Sequence, residues 1–231
     1  MGVERTTVDA VGADQKQCYR VGGAAALVIG IGYVVIFPLY AQVGVPPSSG
    51  EAWFRYLPGK TGVWWAILAL SVFTDFLFVP VAFALYVALK RINQNAMLLA
   101  AALMGLFVVL DLAVTWSHYA SILTLYSRYA VSADDGHRAS YLAAADYASA
   151  MLTSPLEIVY AIVTLSSGIL LTGFVMLRGT FSKITAYLGL ATGVLGIASL
   201  TGFGPIIIGN ALFATVWLFF VGYRLCRLAQ G

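Results

Sequence analysis

Six stretches of this chain are each long and apolar enough to cross a lipid bilayer, and nothing else in it restricts the fold so strongly. They run from Val21 to Ala41, Val63 to Leu89, Ala96 to about Tyr119, about Ala145 to Leu177, Ile184 to Gly202 and Pro205 to Tyr223. About 20 mostly apolar residues suffice to span the ~30 Å hydrocarbon core. In lipid every backbone donor and acceptor must be paired within the protein, so a span is either a helix or a strand of a closed barrel. None of the six alternates with the period of two that a barrel strand requires. The expected fold is therefore all-α: a polytopic bundle of six transmembrane helices forming one domain over residues 1–231. Composition agrees, with 61% hydrophobic and 10% charged residues. A soluble domain carries about 25% charged residues. The first partner is thus the lipid bilayer. A net charge of +3 with no basic run argues against nucleic acid.

The charges between spans predict orientation. Nine of the thirteen basic residues (Arg5, Lys16, Arg20, Lys90, Arg91, Arg178, Lys183, Arg224 and Arg227) fall on the side of the termini, against Arg55, Lys60, Arg128 and Arg138 on the other. The positive-inside rule then places both termini in the cytoplasm, with residues 42–62 and 120–144 as outer loops of a multi-pass plasma membrane protein, the inner membrane of a bacterium. Cys18 and Cys226 would lie at the reducing face, so no disulfide is expected. The first span reads as an uncleaved signal anchor, since its apolar core is longer than that of a signal peptide.

The loops carry helix-start signals. Ser48 with Glu51, and Ser132 with Asp135, have the spacing of capping boxes. The first predicts a short interfacial helix with Trp53, Phe54 and Tyr56 at headgroup level, continued by Trp64 and Trp65. The second predicts a helix running into the fourth span. Residues 136–177 as one helix would measure about 60 Å, so it protrudes outward, bends at Pro155, or both. Gly22, Ala26 and Gly30, and again Gly189 and Gly193, form small-residue stripes suited to close helix packing within the chain, with a homo-oligomer as the other reading.

Candidate functional residues stand out because they are polar where the chain is otherwise apolar. Asp75 lies fifteen residues from Lys90, and Asp111 fifteen from Ala96, about 22 Å from the cytoplasmic end of each helix. Glu157, twenty residues from Leu177, lies about 30 Å from it, less if Pro155 kinks the helix. Asp111, Thr115 and His118 recur at i, i+4 and i+7, one face of a regular helix. A charge deep in the bilayer costs at least ~2.5 kcal/mol, and such residues mark functional sites by default. The sequence therefore predicts a ligand or proton site of Asp75, Asp111, Glu157, His118, Thr115 and Tyr160, in which at least one acid holds a proton at neutral pH. A packing role for the same residues, with the acids hydrogen-bonded to Thr, Ser or Tyr, is the competing reading.

Other chemistries lack their residues. No lysine lies inside a span, so no retinal Schiff base is expected. The two histidines, His118 and His137, both fall on the outer side and do not supply a bis-histidine haem pair. HExxH, GxSxG and Walker motifs are missing. The acids with His118 have oxygen-rich chemistry suited to hard cations, but their spacing matches no metal motif, and no metal is assigned. His137, beside Asp134 and Asp135, reads as a solvated loop histidine.

Three stretches, "TDFLFVPVAFALYVALKRIN", "DDGHRASYLAAADYASA" and "FSKITAYLGLATGVLGI", resemble a family of bacterial multi-spanning proteins described only as a domain of unknown function. The likeness rests on Leu85 to Leu89, Arg138 to Ala145 and Phe181 to Ile197, and covers about Tyr19 to Leu228. It implies a six-helix membrane protein and carries no activity. The function expected from the residues is binding or movement of a small molecule or of protons through an intramembrane polar pocket, a transporter-like role. A metal-assisted intramembrane enzyme and a structural or accessory subunit are the alternatives, and a non-enzymatic role is favoured.

Overall fold

A computed structural model describes residues 2–230, with side chains over residues 12–230 other than Ile158. It is 88% helical and, among the described residues, contains no strand. The helices are α1 (Gly2–Val43), α2 (Gly50–Tyr56), α3 (Thr61–Leu89), α4 (Gln94–Leu110), α5 (Ser117–Val131), α6 (Asp135–Leu152), α7 (Pro155–Ile158), α8 (Thr164–Met176), α9 (Lys183–Ala198) and α10 (Gly204–Gln230). Two π-helical turns, Asp111–Trp116 and Val159–Val163, join α4 to α5 and α7 to α8 without breaking the helix. Among the described residues six helical rods are long and apolar enough to span a membrane: Gly12–Val43, Thr61–Leu89, Gln94–Val131, Pro155–Met176, Lys183–Thr201 and Gly204–Gln230.

The distribution of polarity is that of a protein dissolved in lipid. On α3, Phe73, Phe76, Val79 and Phe83 are 51–59% exposed, while Ser71, Thr74 and Asp75 on the same helix are buried. A large apolar perimeter around polar interior residues reverses the arrangement of a soluble bundle. This makes the chain an integral, multi-pass membrane protein.

Neighbours in sequence are neighbours in space, and the last span returns to the first. The contacts run α1 to α3, α3 to α4, α4 to α8, α8 to α9, α9 to α10 and α10 to α1, closing a ring. Glycines set the closest approaches. A Cβ on Gly22 would lie 2.2 Å from the Cβ of Ala84, and one on Gly193 2.5 Å from that of Leu170. Gly23 meets Cys226, Gly30 the ring of Phe219 and Gly189 the indole of Trp217. The small-residue stripes of the first and fifth spans thus pack against α3, α8 and α10 of the same chain.

Two apolar cores stack along the bundle. One, built around Leu85, Leu89, Met97, Met104, Trp217 and Leu225, fills the ring toward the face that carries the termini. The other, with Trp53, Phe54, Leu57, Trp64 and Ile122, lies toward the opposite face, here called the cap. There α5 runs on past the ring and doubles back as α6, with α2 laid across the pair. Gln94–Val131 is 38 residues, about 57 Å long and well beyond the hydrocarbon core.

The cap differs from expectation in several respects. Trp53, Phe54 and Trp64 are buried in protein rather than placed among headgroups, because α5 and α6 cover α2, and Trp65 alone of that set faces outward at 40% exposure. The first cap is Ser49, whose hydroxyl accepts from Ala52 N, one residue past the predicted Ser48. The second is Asp134, accepting from Gly136 N and His137 N, while Ser132 ends α5. His137 therefore sits in the first turn of α6, exposed, 3.2 Å from Asp134. The outer segment predicted as residues 120–144 is largely helical, and the long fourth helix breaks outright. α6 ends at Leu152, and Ser154, whose hydroxyl accepts from Glu157 N, restarts the chain at Pro155. Proline fits there because the first residue of a helix needs no N–H partner.

Tyr56 ties the cap to α1. Its hydroxyl donates to Val43 O at 2.7 Å and accepts from Trp64 Nε1, and Lys60 Nζ donates to the same carbonyl. Partial burial pushes the Tyr56 phenol above its usual range, so it remains a donor at any physiological pH.

Candidate functional site

Between the two cores lies a polar layer made by α3 and the π-helical turn. α3 contributes Ser71, Thr74 and Asp75, and Thr74 returns its hydroxyl to Ser71 O at 2.9 Å, so it adds no free polarity. The turn contributes Asp111 and Thr115, both buried, and the half-buried Trp116. A π-helical turn brings residues five apart into line, where an α-helix aligns those three and four apart. Trp116 accordingly folds back over Asp111. Its indole Nε1 donates to Asp111 Oδ2 at 3.0 Å and to Asp75 Oδ2 at 2.6 Å. One N–H thus holds two carboxyl groups from different helices. Thr115 Oγ1 donates to Glu157 Oε1 at 3.1 Å, which attaches the third acid to the same turn. Asp75 and Asp111 are 4% and 5% exposed, and Asp111 Oδ1 is buried with no hydrogen-bond partner.

The pair forms part of the wall of a cavity of about 780 Å³. Aromatic side chains dominate the rest of the wall: Tyr33, Phe37 and Tyr40 from α1, Phe107 from α4 and Tyr119 from α5. On the far side are Ala161 and Leu165, then Ile207, Ile208 and Ala211 of α10. Ile207 and Ile208 are also 45% and 61% exposed on the perimeter, so the cavity wall is continuous with the surface that faces lipid. Gly44 to Pro46, just past α1, line the same end. Its size lies within the ~300–1,000 Å³ of ordinary ligand sites.

The structure brings some of the predicted residues together and separates others. Asp75, Asp111 and Thr115 line the cavity, and Glu157 reaches the group through Thr115. His118 does not. Its Nδ1 donates to Val114 O at 2.5 Å, and its ring lies 6.2 Å from that of Tyr147, in a groove between α5 and α6 that also holds Arg128. Tyr160 does not line the cavity either; its carbonyl accepts from Thr164 Oγ1. Sequence reasoning missed Trp116, Tyr119, Tyr33 and Tyr40. For the first two the cause is the extra residue in the π-helical turn, which moves position 119 inward and position 118 out. For the two α1 tyrosines the available signal was a phenol every seven residues on a helix otherwise lacking polar groups at that depth.

Among the described residues, Asp75, Asp111 and Glu157 make no ion pair with a lysine, arginine or histidine. Nor do three His, Cys, Asp or Glu side chains among them converge closely enough to hold a metal ion. The site is thus acidic, aromatic and without an internal counter-charge. No protein-family model, curated protein or solved structure matches the chain.

Proposed function

We propose that the protein binds a small molecule in this cavity and passes it, or protons exchanged for it, through the membrane by way of Asp75, Asp111 and Glu157. Its setting in this reading is the plasma membrane of a bacterium, as a single domain with both termini in the cytoplasm and the cap outside. One observation carries the proposal: two buried carboxyl groups converge on a single indole N–H at the wall of a cavity large enough for a ligand. Ionisable groups deep in a membrane are costly and line substrate or ion pathways where they occur. The exposed Ile207 and Ile208 supply an approach from the bilayer.

A proton route by itself is the second reading. It is favoured by Thr115, whose hydroxyl donates to Glu157 from the same turn that carries Asp111.

Cysteine accessibility tests the cavity. In a background with Cys18 and Cys226 replaced by serine, Ser71→Cys puts a thiol on the wall one turn from Asp75. In proteoliposomes it should react with a small membrane-permeant thiol reagent, and a bulky Ala211→Phe substitution on the facing helix should slow that reaction. A thiol at position 71 that stays unreactive under conditions that label an exposed control such as Ser48→Cys would mean that the cavity admits nothing, and the proposal would fall.

A further inference from the structure

We infer that the occupant of the cavity is an organic cation with an apolar body, an ammonium-type amphiphile whose charged end sits between Asp75 and Asp111. The inference rests on the binding role proposed above and names the chemical class that fills it.

Three features point to positive charge. Two carboxyl groups converge on one indole donor, and Asp111, 5% exposed, keeps Oδ1 without a hydrogen-bond partner. An anionic ligand would add like charge to this group, and a neutral apolar one would leave Asp111 Oδ1 unpaired. Buried acceptors without donors are destabilising, so a donor or a cation is what the group lacks. No internal positive charge balances the pair: the described residues place no lysine, arginine or histidine against it.

The walls specify the rest of the molecule. Tyr33, Phe37, Tyr40, Phe107 and Tyr119 present aromatic surface around the acids, and ring faces attract cations, most strongly when water is excluded. Aliphatic residues complete the wall on the α10 side. A small hydrated metal ion would gain nothing from such a wall, and its ligands do not converge here. A molecule with a cationic end and an apolar remainder matches both halves. The continuity of the wall with Ile207 and Ile208 at the perimeter suits a solute that already partitions into lipid.

The test compares a short-chain primary phenylalkylammonium, whose N–H groups can donate to the acids, with the uncharged phenylalkane that carries a methyl in place of the ammonium, each below its own micelle-forming concentration, by the rise in melting temperature of the full chain in detergent. The ammonium should stabilise the protein, with half-maximal effect at about a tenfold to hundredfold lower concentration than the neutral compound, the ratio expected for a charged hydrogen-bonding contact. Asp111→Asn should abolish the preference while leaving weak binding of the neutral compound. If that variant does not fold, the comparison on the unmodified chain decides alone. Equal potency of the two compounds would overturn the cation assignment and leave the cavity as a ligand site. No shift with either compound, while Ser71→Cys labels freely, would also overturn it. No shift together with an unreactive thiol at position 71 would remove the binding reading as well.

Discussion

Replacing Trp116 by phenylalanine tests whether the acid pair depends on that one indole. The substitution keeps an aromatic ring near Tyr119, whose centroid is 5.6 Å away, and removes the N–H that bonds Asp75 at 2.6 Å and Asp111 at 3.0 Å. Each buried acceptor left without its donor costs about 1–3 kcal/mol. The two bonds share one hydrogen, so the loss should fall toward the lower part of the doubled range, about 2–4 kcal/mol. Packing adds little, because the lost atoms border an existing cavity. Trp217→Phe is the control. Trp217 is wholly buried, and its Nε1 has no partner in the protein. Removing that N–H relieves an unsatisfied donor and offsets much of the packing loss, leaving a net cost of about 1 kcal/mol or less. At about 2–4 °C per kcal/mol for a chain of this size, Trp116→Phe should lower the melting temperature by about 4–16 °C and Trp217→Phe by about 4 °C or less.

Scanning fluorimetry of the detergent-solubilised protein, read with a thiol dye or light scattering so that the lost tryptophan does not bias the signal, measures both. Combining Trp116→Phe with Asp75→Asn completes the cycle. The asparagine amide can donate to Asp111 Oδ2 and supply the missing hydrogen, so the double variant should recover about 1 kcal/mol or more relative to additivity. A Trp217→Phe variant that melts as low as Trp116→Phe, with strictly additive effects in the cycle, would refute the central role given to this N–H.

Three further outcomes are expected. Asp75→Asn alone should raise the melting temperature, because an amide avoids the cost of burying an ionisable carboxyl group and can still donate to Asp111; a lowered value would assign the acids to packing. Gly22→Ala should destabilise by about 1–3 kcal/mol, since its Cβ would fall 2.2 Å from that of Ala84, whereas Gly105→Ala, with nothing within 4 Å, should be neutral or stabilising in the same melting assay. Cysteines introduced one at a time at Ser48 and Ala133, both exposed on the cap, should react with an impermeant reagent on intact cells; labelling only after lysis would invert the orientation.

What the sequence disclosed and what it hid divide along a physical line. Length and hydropathy determine whether a segment crosses a bilayer, and those are additive properties of composition, so all six spans were legible. The acids were legible too, because a carboxyl group at bilayer depth is conspicuous against apolar neighbours. Rotation about a helix axis is a different matter. Counting by 3.6 residues put His118 with Asp111 and Thr115, and a single added residue in the π-helical turn was enough to send His118 to the α5–α6 groove and bring Trp116 and Tyr119 inward. No local propensity in "DLAVTW" announces that turn. The helix break at Thr153 and Ser154 shows the opposite case: Pro155 marked the place, and only the choice between bending and stopping depended on how α6 packs on α2 and α5.

The energetics of the polar layer bear on whether the acids serve the fold or use it. The ring is closed by glycine-mediated contacts and by a continuous apolar core toward the termini face, and the cap has its own core of aromatic residues. Neither requires a carboxyl group between them. Thr, Ser or Asn at position 75 could accept from Trp116 without the desolvation penalty of an acid, and an apolar pair of similar volume commonly packs as well as a buried polar one. The arrangement present instead leaves one carboxyl oxygen unpaired and spends a single N–H on two acceptors. It does so at a π-helical turn, itself a departure from the most stable helical hydrogen bonding and one that recurs at functional sites. Three local departures from the lowest-energy solution at one cavity wall are difficult to account for as packing alone, and they support the binding role proposed above.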